Sequence, residues 1–512
     1  MNGAESLVRT LASNDIELCF ANPGTSEIHL VAALDRVAQI RCVLGLFEGV
    51  VSAAADGYAR MAAKPACTLL HLGPGLANAL ANLHNASRAP VPIVNLVGQH
   101  AGSHLRHDTP LASDVEAIAR PYSGWLRTST SAGYLGHDGA AAIVAARTAP
   151  GQIATLVVPA DVAWSEGGAT QKISHLPLAP MPCGDVIEYA ASLLASGKRT
   201  GLLIGGHALH GRGLAAAGRI AAAPNVKLFC PYPLCRLERG SGLPAVERIH
   251  YILEQAREQL AEFRQLILVG AAAPVAYFAY PGKSSVITSC ECQIHVLSRP
   301  EEDCVGALEA LATAVTGHNR SVSREKLTRP AMPGGEITLA GLSAAVGALL
   351  PENAIVVDES MTSGRGLMAA TKEAPTHDWL GNTGGSIGIA LPLAVGAALA
   401  CPERPVLCLT ADGSAMYTLQ ALWTMAREGL KVTTVVFANG DYAVLKREFS
   451  ALGTPGRCAA GMFEIGNPEL DWVQLARGMG VPSTRATALE DFGKALQNGF
   501  ASEGPSLVEV RV

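Results

Sequence analysis

Asp412-Gly413-Ser414 and Asn439 are the residues of this 512-residue chain whose types and spacing point most directly to chemistry. The acid ends the apolar run Val406-Leu407-Cys408-Leu409-Thr410, and the asparagine ends the run Val432-Thr433-Thr434-Val435-Val436-Phe437. Their separation, 439 − 412 = 27 residues, leaves room for one crossover helix, expected over Ala415 to Glu428, between two parallel strands. Strand C-termini in an α/β sheet open onto the ligand crevice, so a carboxylate and an amide oxygen are expected side by side there. Hard oxygen ligands of this kind suit Mg²⁺, which keeps waters and takes further oxygens from a ligand's phosphates. The pair therefore reads as a site for a Mg²⁺ diphosphate.

The elements that must position such a site alternate between strand and helix patterns throughout. This predicts an α/β protein of three doubly wound parallel-sheet domains. Two stretches read as linkers: Glu166 to Asp185, with Gly167, Gly168, Pro177, Pro180 and Pro182, and the polar Thr316 to Gly335, with Arg320, Arg324, Arg329, Pro330 and Pro333. The expected domains are residues 1–169, 183–315 and 336–512. In the first, Leu18 to Ala21 reads as a strand, and Asn22 to Glu27 as a turn in which Thr25 or Ser26 caps a helix. Cys42 to Phe47 reads as the next strand, with Glu48 opening a small-residue helix over Val50 to Arg60. Strand Cys67 to Leu70 then leads through His71 to a helix over Ala77 to Ser87. Three strand ends thus present Thr25, Glu48 and His71 toward one crevice.

Composition narrows the function classes. The chain is 49% hydrophobic and 16% charged with 53 glycines, as a large enzyme with well-buried sheets requires. A net charge of −5 without a Lys/Arg block argues against nucleic acid or an anionic membrane as partner. Met1 to Glu17 has no long apolar core, so a cytoplasmic location is expected. Gly384 to Cys401 is uncharged, yet four glycines and Pro392 make it a buried helix rather than a membrane span. Most of the 12 cysteines lie scattered in apolar runs, and Cys290-Glu291-Cys292 has no second pair to complete a metal site.

The Asp412-Gly413-Ser414 to Asn439 spacing resembles the motif of the thiamine diphosphate family, with Ala411 at the first glycine and Ala438-Asn439 at the asparagine pair. Gly45-x-x-Glu48 followed by Ala53, Ala54, Gly57, Tyr58 and Arg60 resembles the same family's pyrimidine-domain motif. Asn382 to Pro392 resembles its loop carrying a bulky apolar residue beneath the cofactor, and Ile387 falls at that position. The whole chain is similar to the 2-oxo acid decarboxylases and acetohydroxyacid synthases, in pyrimidine, central and diphosphate domain order. Asn22-Pro23-Gly24-Thr25, His71, Tyr417 and Ala421-Leu422-Trp423-Thr424 resemble the benzoylformate decarboxylase branch. Tyr442 to Arg447 lacks the Met-Val-x-Gln-Trp run that marks acetolactate synthase.

The resemblance implies thiamine diphosphate and Mg²⁺ as cofactors. Asp412, Asn439 and the Asp441 carbonyl would hold the metal, and Gly385, Ile387, Gly413, Ser414 and Tyr442 would line the cofactor. Glu48 would hydrogen-bond the pyrimidine, aided by an apolar setting from Leu46, Phe47, Val50 and Val51 that raises its pKa. Thr25 and His71 would face a small-molecule 2-oxo acid, which loses carbon dioxide and yields an aldehyde or is joined to an aldehyde or ketone acceptor. A second pocket histidine of the decarboxylases is replaced near Phe278, with His100, His104 and His107 as candidate substitutes. Acetolactate synthase proper and a non-catalytic cofactor-binding relative are the alternative readings. The glycine-rich turn Gly205 to Gly213 leaves FAD in the central domain open. Active sites between subunits imply a homodimer or homotetramer.

Overall fold

The structure, a computed structural model, describes residues 1–316, 324–453 and 458–512. Part of the second expected linker, residues 317–323, lies outside them. The chain divides into two compact units, one of residues 1–177, 330–370 and 384–512, the other of residues 178–329 and 371–383.

The first unit contains two parallel arrays. In one, the strands run in the order Arg41–Leu44, Leu18–Asn22, Ala66–Leu70, Ile93–Gln99, Ile153–Pro159, Trp125–Thr128. The chain moves to one side of Leu18–Asn22 and then returns to its other side, which makes the ends of these strands the switch point where α/β sheets bind ligands. In the other, Ser483–Ala486, Ser506–Arg511, Val432–Ala438, Val406–Ala411 and Ile355–Glu359 are neighbours in that order. Its central strands are buried along nearly their whole length, which explains their continuous apolar runs, since helices cover both faces of such a sheet.

The second unit has its own parallel sheet, in the order Glu247–Arg248, Val226–Cys230, Thr200–Ile204, Gln265–Val269, Gln293–Ser298. It also contains the antiparallel pair His377–Gly381 and Arg236–Arg239. The α/β reading with three parallel sheets is thus the observed fold.

Helix Glu48–Ala62 crosses helix Ala390–Ala400 at close range. A Cβ at Gly57 would stand 2.1 Å from the Leu393 carbonyl oxygen, and one at Gly396 would stand 1.9 Å from that of Ala54. Only glycine permits this approach. Helix Ala390–Ala400 is apolar on all sides and buried, as its lack of charge predicts, and Pro392 lies in the first turn, where no amide donor is needed.

The strand expected over Cys42 to Phe47 is Arg41–Leu44, so residues 45–47 form the bend before Glu48, and two expected helices also differ. The helix after His71 starts at Leu72 rather than Ala77, because Pro74 falls in its first turn and is tolerated there. The crossover after Asp412 is two pieces, Asp412–Ala415 and Ala421–Glu428. Thr418, in the break, donates its hydroxyl to the Gly388 carbonyl at 2.7 Å, a bond that a continuous helix would not be positioned to make.

Candidate active site

Glu48 is the first residue of its helix and only 6% exposed. Its two carboxylate oxygens accept from two side-chain amides: Asn22 Nδ2 at 3.0 Å to Oε1 and Asn78 Nδ2 at 2.9 Å to Oε2. Asn22 ends the neighbouring strand and Asn78 lies on helix Leu72–Arg88. Of the expected apolar neighbours, Val50 and Val51 are buried, whereas Leu46 is 45% exposed. Two donors on one carboxylate fix its direction and satisfy its buried oxygens.

His71 stands at the end of strand Ala66–Leu70, two positions along the sheet from the strand that leads to Glu48. Its Nδ1 lies 2.7 Å from Oε2 of Glu27, a carboxylate with no solvent exposure. Glu27 Oε2 also accepts from the Gly24 amide at 3.0 Å. This bond corrects the expected cap: the Glu27 carboxylate, not the hydroxyl of Thr25 or Ser26, closes the turn. A Cβ at Gly24 would fall 2.1 Å from His71 Nδ1, so the turn leaves room for the ring. With Nδ1 committed to Glu27, Nε2 is the ring atom available to a substrate, and it has no protein partner among the described residues. Thr25 is exposed in the same turn, with no side-chain hydrogen bond among the described residues.

Asp412 follows strand Val406–Ala411 and Asn439 follows strand Val432–Ala438, and the two strands are in parallel register with Ala411 opposite Phe437. The spacing therefore brings the two residues to adjacent strand ends. Asp412 is 3% exposed. Its Oδ1 accepts from the Gly413 amide and its Oδ2 from the Gly440 amide, each at 2.8 Å. Burial pushes its carboxyl above the usual range, against the pull of these amides. No cationic side chain pairs with it among the described residues. A buried carboxylate held by amides and lacking a cation is a fitting ligand for Mg²⁺.

The adjoining loop is shaped to match. Asn439 Oδ1 accepts from the Asp441 amide at 3.0 Å, and Lys446 Nζ lies 2.5 Å from Asp441 Oδ1. Tyr442 lies against Gly413, where a Cβ would stand 2.6 Å from the ring. Ser414 is buried beside it. Gly385 and Ile387 lie on the loop leading into helix Ala390–Ala400, exposed and half-buried respectively. This combination of acid, amide, bare glycine and aromatic wall fits a metal-bound diphosphate.

Among the described residues, no hydrogen bond or ion pair joins Glu48 or His71 to Asp412 or Asn439. The histidines of the loop after strand Ile93–Gln99 lie in a row with their rings tilted against one another, ring centres 5.3 Å apart for His100 and His104 and 5.7 Å for His104 and His107. His104 and His107 are exposed. No group of three or more His, Cys, Asp or Glu side chains among the described residues could hold a metal. Nor is any helix among them long and apolar enough to cross a membrane.

In the second unit, Phe278 is 56% exposed and packs edge-on to Tyr277. The glycine-rich turn ends at helix Gly211–Ile220, whose Gly211 amide donates to Glu238 Oε2 at 2.7 Å. Dinucleotide phosphates need free amides at such a helix start. Here the Gly211 amide is taken by a carboxylate, and Arg212 is held by two bonds to Glu309.

Residues 1–118 match the family model described as the thiamine pyrophosphate enzyme N-terminal TPP binding domain, and residues 364–510 match its C-terminal TPP binding domain. A Mycobacterium tuberculosis protein provisionally named acetolactate synthase large subunit is 50% identical over 100% of this chain and 99% of its own length. Benzoylformate decarboxylase of Pseudomonas aeruginosa is 28% identical over 98% of this chain and 97% of its own. The solved structure of a thiamine diphosphate-dependent 4-hydroxybenzoylformate decarboxylase from Rhodococcus jostii superposes with a TM-score of 0.87 at 25% identity, covering 100% of this chain and 99% of that one. With both binding domains matched and half of all residues shared with a full-length relative, the chain belongs to the thiamine pyrophosphate enzyme family.

Proposed function

We propose that the chain is a Mg²⁺- and thiamine diphosphate-dependent cytoplasmic enzyme that decarboxylates a 2-oxo acid and either releases an aldehyde or joins the remaining carbon unit to a second carbonyl. The observation that carries this reading is Glu48, a buried carboxylate aimed by Asn22 and Asn78 beside the Glu27–His71 pair. When bound, thiamine diphosphate supplies the electron sink that lets carbon dioxide leave.

The chain's own residues do the rest. Glu48 holds a proton against the pyrimidine ring. His71, oriented through Nδ1, holds or delivers a proton at Nε2. The Thr25 hydroxyl binds the substrate's polar end. Asp412 and Asn439 with the Asp441 carbonyl would hold Mg²⁺, Gly385, Gly413, Ser414 and Tyr442 would receive the diphosphate, and Ile387 would support the cofactor.

As the family resemblance implies, the Glu48 and Asp412 groups would be two half-sites of each chain, completed between chains in a homodimer or homotetramer. Full-length identity of 50% to the protein named as an acetolactate synthase subunit favours a second reading, in which two 2-oxo acids are joined. Product analysis separates the two. The purified protein with Mg²⁺ and cofactor is given a panel of 2-oxo acids that includes pyruvate and benzoylformate, each with and without an added aldehyde. Aldehyde or hydroxyketone supports decarboxylation with carboligation, acetolactate from pyruvate alone supports the second reading, and no carbon dioxide from any 2-oxo acid would refute both.

A further inference from the structure

Helix Leu72–Arg88 carries a ladder of asparagines at 78, 82 and 85, a spacing that keeps them on one face. Asn78 holds Glu48. Asn82 Nδ2 donates to the Gly49 carbonyl at 2.9 Å, one residue beyond Glu48. Asn85 Nδ2 donates to Asn82 Oδ1 at 3.0 Å and to the Ser386 carbonyl at 2.8 Å, and the Ser386 amide donates to Asn85 Oδ1 at 3.1 Å. One fully buried side chain thus grips both main-chain groups of the residue before Ile387.

The loop is seated on this helix from several directions. His84 Nε2 lies 3.0 Å from the Gly384 carbonyl, and a Cβ at Gly384 would stand 2.6 Å from Asn85 Oδ1. From the other side, the Glu359 carboxylate accepts from the Gly388 and Ala390 amides, each at 3.1 Å. A buried amide bonded on both edges fixes the height of a loop more narrowly than apolar packing would.

We propose that Asn85 is a positioning residue that sets the depth of Ile387 beneath the cofactor by holding Ser386. The proposal rests on the reading of Ile387 as that support and of active sites shared between two chains. In that arrangement Asn85 serves the diphosphate half-site of its own chain, and the Glu48 it faces along the ladder serves the other site.

The test uses full-length Asn85→Ala loaded with Mg²⁺ and thiamine diphosphate. A misplaced support should lower the rate roughly 10-fold or more. It should also change the near-ultraviolet circular dichroism of the bound cofactor while the cofactor still binds. Asn85→Asp keeps the acceptor for the Ser386 amide and loses the donor, so its signal should fall between the two. It takes the place of Asn85→Ala if that variant does not fold, and a wild-type cofactor signal then overturns the proposal.

Subunit exchange locates the defect. Asn85→Ala mixed with Glu48→Gln should regain activity, because one of the two sites is then intact, whereas Asn85→Ala mixed with Asp412→Ala should not. The reverse pattern, or an unchanged cofactor signal and rate in Asn85→Ala, would overturn the proposal. Absence of recovery between Glu48→Gln and Asp412→Ala would instead refute the shared-site reading, and the cofactor signal alone would then judge Asn85.

Discussion

His71 Nδ1 is 2.7 Å from Oε2 of Glu27, whose side chain is wholly buried and whose Oε1 has no hydrogen-bond partner among the described residues. A carboxylate so placed fixes the ring's tautomer and orientation, as a base-orienting residue does in other acid–base pairs. Glu27→Gln should therefore lower turnover by roughly 10- to 100-fold, within the range expected for disturbing a general acid–base group, and leave cofactor affinity unchanged. Steady-state rates beside a cofactor titration check this. Unaltered turnover would remove Glu27 from the site.

Glu48→Gln should still bind Mg²⁺ thiamine diphosphate, because the diphosphate half holds the cofactor, and should lose activity on the order of 100-fold or more. Asn78→Ala removes one of the two donors that aim the carboxylate and should cost roughly 10-fold, the worth of one hydrogen bond to a charged group. Exchange of the cofactor C2 proton, followed by NMR after acid quench, reads both effects. Normal exchange in Glu48→Gln would contradict the assigned role.

The placement of Glu48, His71, Asp412 and Asn439 near strand ends was legible because each follows an apolar run that parallel strands require, and strand ends face the crevice. Glu27 was not. An acid three residues after Gly24 reads as a helix-start residue, and its partner His71 is 44 positions away in sequence, brought near only because their strands are neighbours. Asn22 and Asn78 look like ordinary turn and helix asparagines until Glu48 is placed between them. The break in the crossover helix has no glycine or proline between Met416 and Gln420 to announce it. It depends on Thr418 reaching Gly388 from a distant part of the chain.

Asp412→Ala should abolish cofactor retention through loss of the metal bridge. Fluorescence titration should show weak binding that excess Mg²⁺ does not restore. Affinity equal to that of the unmodified protein would place the metal elsewhere.

The second unit should show an acid-labile stability that traces to His210. Burial first, then Arg236 and His207, push its imidazole down from 6.5 to about 4, while Asp378 pulls the other way. His207 is pushed down as well, again mainly by burial. A folded-state value below the unfolded one means that the unfolded chain binds the extra proton first. Stability contributed by the neutral ring is therefore fully present above about pH 6.5 and is lost as pH falls toward about 4, by at most roughly 3 kcal/mol. His210→Asn removes the titrating group, so the fall in stability between pH 7 and pH 4 should be shallower in that variant. Urea denaturation at several pH values in this window is the measurement, and parallel curves for the two proteins would show that His210 does not carry the linkage.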